Sequence, residues 1–193
     1  NEAFADVIGT ATEFYFHEKG TGRLQGDYKL GEDVAWWDVN RALDDPRSRT
    51  YADVPRPDHF TRTFSYVVII VEGTRAAPKR LGTIAWSIFD DKLLRVPYDN
   101  GGVHLNATVL GHAFYLAIEG GRNHTSARTV RGVGFANKHQ IEQAFFRAMT
   151  VLMPNEPTMQ VAASATFQAA VDLFGANSTA AQAIRQAMQA VGL

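Results

Sequence analysis

A chain of 193 residues, 46% hydrophobic and 20% charged, is long enough for one domain with a sizeable core, and its composition argues against the disordered and membrane classes. A formal net charge of -1 provides no long-range field to attract nucleic acid or an anionic membrane, so neither is expected as a partner. The absence of cysteine excludes a disulfide scaffold, and the longest aliphatic run, Val67 to Val71, is far short of the roughly 20 residues that a membrane-spanning helix needs.

Residues Glu2 to Phe16 place Ala3, Phe4, Val7, Ile8, Ala11, Phe14 and Tyr15 at three-four spacing, which predicts an amphipathic helix. Glu2 and Asp6 stand one turn apart on a shared face. With no basic start, apolar stretch or cleavage site ahead of this helix, the chain reads as a portion of a longer polypeptide. From Gly20 to Phe60 the periodicity dissolves into Gly, Pro and Asp punctuation, including Asp45-Pro46 and Pro55-Arg56-Pro57-Asp58, which predicts a long irregular segment with one short helix at most.

Thr63 to Glu72 and Leu81 to Phe89 are rich in β-branched and aromatic residues, and the Gly73 to Arg80 stretch between them contains Gly and Pro. This pattern predicts a β-hairpin with that stretch as its linker. Leu105–Glu119, Asn137–Leu152, Thr158–Phe174 and Ser178–Val191 then show helical periodicity, bounded by Gly121, Pro154 and Gly175, with Asn137 and Ser178 as N-cap candidates. The fold class expected is therefore mainly α, with an irregular segment and one β-hairpin.

Two short segments carry the chemistry. Asn1-Glu2-Ala3-Phe4-Ala5-Asp6 opens the first helix, and Asp99-Asn100-Gly101-Gly102-Val103-His104 precedes the second. Taken alone, acids near a helix N-terminus are favoured by the macrodipole, and a Gly-Gly turn before a helix is commonly structural. Together, the two segments resemble the catalytic region of the thermolysin-like neutral metallopeptidases. The resemblance covers residues 1 to about 60 and 98 to 193, including the closing Ala187 to Leu193.

That resemblance implies a C-terminal α-helical domain: residues 1-193 as the C-terminal half of a peptidase catalytic region, with 63-98 as an inserted hairpin near the mouth of the cleft. It implies Glu2 as a zinc ligand and Asp6 as the carboxylate that orients a zinc-bound His. It also implies His104 as donor to the developing oxyanion, with Asp99 holding its other nitrogen. Arg41, in Arg41-Ala42-Leu43-Asp44-Asp45-Pro46, corresponds to the family's clamp on the substrate carbonyl, for which a guanidinium fork is well suited. Leu30 and Val34 match the lining of the pocket for the residue after the scissile bond, and Asn40 stands where an apolar residue is usual. Glu13, Asp27 and Glu32 match calcium ligands, although Lys29 replaces a further acid. Ordinary surface ion pairs are the alternative for those three acids. His112, His17, His124 and His139 carry no assignment, nor do the Asn-x-Ser/Thr sequences at Asn106, Asn123 and Asn177.

A catalytic zinc takes three protein ligands, and no His-Glu-x-x-His spacing occurs between residues 1 and 193. The expectation is a secreted zinc endopeptidase that cleaves peptides before hydrophobic residues. Its zinc helix would come from an N-terminal part, so the isolated chain would be inactive. The competing expectation is a non-catalytic, calcium-stabilised helical module that binds a peptide or protein partner.

Overall fold

The structure, a computed structural model, describes residues 1–32, 41–51, 54–64, 66–72, 75–82, 87–89, 92–94, 96–97 and 99–193. Helix α1 (Glu2–Phe16) turns Ala3, Phe4, Asp6, Val7, Thr10 and Phe14 inward, as its periodicity predicts. Short antiparallel pairs then carry the irregular segment: β1 (Lys29–Leu30) with β2 (Arg41–Ala42), and β3 (Thr50–Tyr51) with β4 (Val54–Pro55), flanked by 3-10 turns at Pro46–Ser48 and Phe60–Arg62.

The predicted hairpin is a larger sheet. It contains β5 (Tyr66–Glu72), β6 (Arg75–Gly82), β7 (Ser87–Phe89), β8 (Lys92–Leu94) and β9 (Val96–Pro97). The second strand of the hairpin is β6, which takes in most of the stretch expected to be a linker, while Ser87–Phe89 pairs with β5 in parallel at Ile88. Pro78 explains the misreading. A proline has no N–H for the ladder and signals a break, but β6 accommodates it at a register shift, opposite Ile69.

Helix α2 (Asp99–Glu119) is the axis of the helical unit. It starts earlier than the apolar periodicity predicts, with Gly101 and Gly102 at φ values of 90° and 78° before the regular turns begin. Val109, Ala113, Phe114, Leu116, Ala117 and Ile118 are almost fully buried, so α2 has apolar neighbours on most sides. Burying each of its large apolar side chains contributes about 1.5–3 kcal/mol. After the pair β10 (Gly121–Arg122) and β11 (Thr129–Val130), the chain forms α3 (Lys138–Arg147), a π-helical turn at Ala148–Leu152, α4 (Met159–Phe174) and α5 (Thr179–Ala190). Phe145 of α3 packs on Phe4 and Phe114 at ring-centroid distances of 5.7 and 5.3 Å, joining α1, α2 and α3 in one core.

Ser178 caps α5 as predicted, its hydroxyl accepting from the Ala181 N–H at 3.1 Å. Asn137 does not cap α3: its side-chain amide donates to the Val133 carbonyl instead, stabilising the preceding turn. Helices α4 and α5 turn alanines inward; Ala169, Ala170, Ala180, Ala181, Ala187 and Ala190 are fully buried. At the end of the chain, Phe60 N–H donates to the Val191 carbonyl at 2.7 Å and Ser126 Oγ to the Ala190 carbonyl at 2.7 Å. Buried Asn123 donates to the Asp58 carbonyl, and Thr125 donates to both Asp58 carboxylate oxygens. The C-terminus thus anchors the irregular segment.

Candidate functional site

The first turn of α1 and the first regular turn of α2 meet. Glu2 Oε2 lies 3.0 Å from His104 Nε2, and both side chains remain partly open to solvent, at 38% and 55% exposure. One turn deeper, Asp6 is buried and pairs through Oδ1 with Arg41 Nη2 at 2.5 Å. Burial raises the Asp6 carboxyl above its ordinary range, opposed by the charge and hydrogen bond of Arg41 and by the more distant charge of Arg56. Its second oxygen accepts no hydrogen bond among the described residues. Sequence spacing alone gives no sign of the Asp6–Arg41 pair, because its members are 35 residues apart and Arg41 comes from the irregular segment.

A cleft of about 150 Å³ opens beside Glu2, walled by Phe4, Val103, Leu110, Met149 and Met159. It has one polar end, Asn1 and Glu2, and otherwise mainly apolar walls. The backbone that presents His104 depends on glycine. A Cβ on Gly102 would come 2.5 Å from the Phe64 carbonyl oxygen. That carbonyl accepts from Asn106 Nδ2 at 2.7 Å, and Asn106 Oδ1 accepts from Phe64 N–H at 2.7 Å. The Asn106 side chain is therefore consumed inside the fold. Arg56, 6% exposed, reaches the His104 carbonyl at 3.4 Å.

The remaining candidates lie elsewhere. Leu30 lines a separate hollow with Glu13, Lys29 and Glu32. Asp27 accepts from the Lys29 backbone N–H at 2.7 Å, and its other oxygen lies 3.7 Å from the Lys29 ammonium. Val34 and Asn40 fall outside the described residues, and so does the side chain of Asp99.

Sequence reasoning leaves His112 unassigned, yet it is 4% exposed and its Nδ1 lies 2.8 Å from the Leu43 carbonyl, two residues beyond Arg41. The available signal is its position among buried Leu110, Ala113 and Phe114, where a polar ring requires a partner.

The family profile described as "Thermolysin metallopeptidase, alpha-helical domain" matches residues 1–193. The chain belongs to the thermolysin metallopeptidase family. It is 29% identical over 197 residues to the bacillolysin of Bacillus cereus, covering 100% of this chain and 27% of that protein. It is 28% identical over 197 residues both to the thermostable neutral protease NprT of Geobacillus stearothermophilus and to the thermolysin of Alicyclobacillus acidocaldarius subsp. acidocaldarius. Each of those alignments covers 100% of this chain and 28% of the relative, so the chain spans about a quarter of the length of these relatives. The mainly helical fold agrees with the thermolysin α-helical domain.

Membership of a metallopeptidase family raises the question of where a metal would bind. Among the described residues no three His, Cys, Asp or Glu side chains gather in a way that could hold an ion. Glu2 offers one suitable oxygen donor beside an open cleft, whereas a catalytic zinc takes three protein ligands, so these residues alone do not fit it. The calcium candidates do not fit either, because a lysine ammonium stands beside Asp27 where further oxygen donors would be required.

Proposed function

We propose that this chain is the C-terminal half of the catalytic region of a secreted, zinc-dependent endopeptidase that cleaves peptide bonds before hydrophobic residues, with its remaining zinc ligands supplied by an N-terminal part of the same polypeptide. The observation that carries this reading is the convergence of Glu2 and His104 at 3.0 Å, with Glu2 lining a mainly apolar cleft. Glu2 contributes one carboxylate ligand. Asp6, with an oxygen that accepts no hydrogen bond among the described residues, can orient an imidazole donor from the N-terminal part. The chemistry zinc would supply is Lewis-acid polarisation.

His104 acts as an N–H donor to the oxygen that gains charge as the substrate carbonyl is attacked, and Asp99 holds the other ring nitrogen. Electrostatic donation to a developing oxyanion is commonly worth a factor of roughly 10²–10³ in rate. Arg41, held by Asp6, presents its remaining N–H groups to a substrate carbonyl. The role of Leu30, Val34 and Asn40 in receiving the residue after the scissile bond rests on the resemblance alone, since Leu30 lines a separate hollow and the other two lie outside the described residues. Residues 63-98 form an insertion near the cleft that shapes access to it. The calcium role of Glu13, Asp27 and Glu32 is not carried forward, given Lys29.

The test is peptidase activity and zinc content of the full-length polypeptide that carries this segment. His104→Ala should lower kcat/KM by roughly 10²–10³ while zinc is retained, and Glu2→Gln should lose both. Unchanged activity in His104→Ala would remove the role given to His104. A zinc-loaded wild-type polypeptide without peptidase activity would favour a peptide-binding module instead.

A further inference from the structure

The strand that carries Arg41 is gripped from two directions. On one side, β2 pairs with β1, and Leu43 N–H donates to the Tyr28 carbonyl at 2.8 Å. On the other side stands α2. Leu43 is fully buried against it, and a Cβ on Gly111 would come 2.5 Å from Leu43 Cδ2, so this glycine is what lets the leucine seat. The next residue along, His112, meets the Leu43 carbonyl at 2.8 Å through Nδ1. A carbonyl only accepts, so Nδ1 must carry the proton. The ring is further fixed by stacking on Tyr115 at a 14° interplanar angle and 5.8 Å between centroids.

His104 and His112 are eight residues apart on the same helix, about 12 Å along its axis. Through His112, α2 therefore determines where the Arg41 strand stands relative to His104. We propose that His112 is a positioning residue for the peptidase reaction: its Nδ1–H bond to the Leu43 carbonyl fixes the strand from which the Arg41 guanidinium reaches Asp6. This rests on the reading of Arg41 as the substrate clamp. His112 itself touches neither substrate nor metal.

The experiment is a double-mutant cycle on the full-length peptidase, with kcat and KM measured separately and the folded fraction checked by thermal unfolding. His112→Leu should lower kcat/KM roughly 10- to 100-fold, through the same parameter that Arg41→Ala lowers, as expected when a reacting group is misplaced by about an ångström. His112→Asn, whose Nδ2 occupies the place of the imidazole Nδ1, should recover most of that loss. His112→Gln, which places its amide one bond farther out, should not.

In an Arg41→Ala background, His112→Leu should have little further effect. Full additivity of the two changes would overturn the proposal, as would wild-type kinetics in His112→Gln. If His112→Leu fails to fold, the contrast between Asn and Gln carries the same decision. If Arg41→Ala leaves kcat/KM unchanged, the clamp reading itself falls, and this proposal with it.

Discussion

At the scale of the residue, the described site is a set of polar groups whose partners come from distant parts of the chain. Asp6 illustrates the balance. Its burial disfavours the charged carboxylate, and Arg41 offsets that cost through one short bond. His112 is the counterpart among the bases. Burial lowers its basicity below the ordinary value of 6.5, against the hydrogen bond to Leu43 and the charges of Asp58, Asp45 and Asp44, which act to raise it. Because the folded form binds a proton less readily, its contribution to stability is complete above about pH 6.5 and is lost as the pH falls towards the depressed value. Urea denaturation between pH 7 and pH 5 should therefore show wild type losing more stability on acidification than His112→Asn. His59, lowered in the same direction by its own burial, is common to both proteins and cancels in the difference. Equal pH dependence in the two proteins would mean that His112 titrates as if exposed.

At the scale of the element, the entry into α2 is the most constrained piece of backbone around the site. Gly101 and Gly102 both have positive φ, but their surroundings differ. Nothing lies within 4 Å of a Cβ added at Gly101, whereas one at Gly102 would meet Phe64 O and Asn106 Nδ2. Gly101→Ala should consequently cost only the conformational penalty, about 1–2 kcal/mol, and Gly102→Ala measurably more, because a backbone carbonyl cannot move aside cheaply. Chemical denaturation of the two variants checks this ranking, and a Gly102→Ala chain as stable as Gly101→Ala would contradict the packing described.

The elements also show what was readable beforehand. The Gly-Gly turn, the amphipathic α1 and the cap at Ser178 are local effects, and local residue patterns reveal them. Strand β6 is hidden in the sequence because Pro78 resembles an interruption, which a register shift accommodates. Asn137 was misread because its amide has a better acceptor at Val133. Glu2 and His104 stand out in the sequence because two motifs name them, and the structure brings their side chains within 3.0 Å. The partners of Asp6 and His112 escaped notice, one arriving from an irregular segment and the other being a backbone carbonyl, which leaves no trace in the identity of any side chain.

At the scale of the whole molecule, the helical unit supports the zinc site proposed above, which these residues alone would not complete. The described residues hold no cluster of three ligating groups, and Glu2 is engaged by His104. The isolated 193-residue chain, dialysed against a weak chelator, should therefore retain close to no zinc by elemental analysis. One tightly held zinc per chain would mean that the ligand set proposed above is wrong. Support of this kind needs little flexibility, and the fully buried alanines of α4 and α5 have no side-chain rotamers to immobilise.

The anchoring of the irregular segment by the C-terminus also determines when the protein can fold. Phe60 binds the carbonyl of Val191, and the Asp58 loop is fastened to the residue 123–126 turn, which in turn holds Ala190. Contacts between positions so far apart in sequence form slowly, since a long loop must close before they return any stabilisation. During synthesis, α1 can coil as soon as it emerges, but Asp58 must wait for Asn123 and Thr125, and Phe60 for Val191, to leave the ribosome. A ribosome stalled before the codons for Ala190 and Val191 would hold a chain in which every named site residue has been translated while the clasp on that stretch has yet to form.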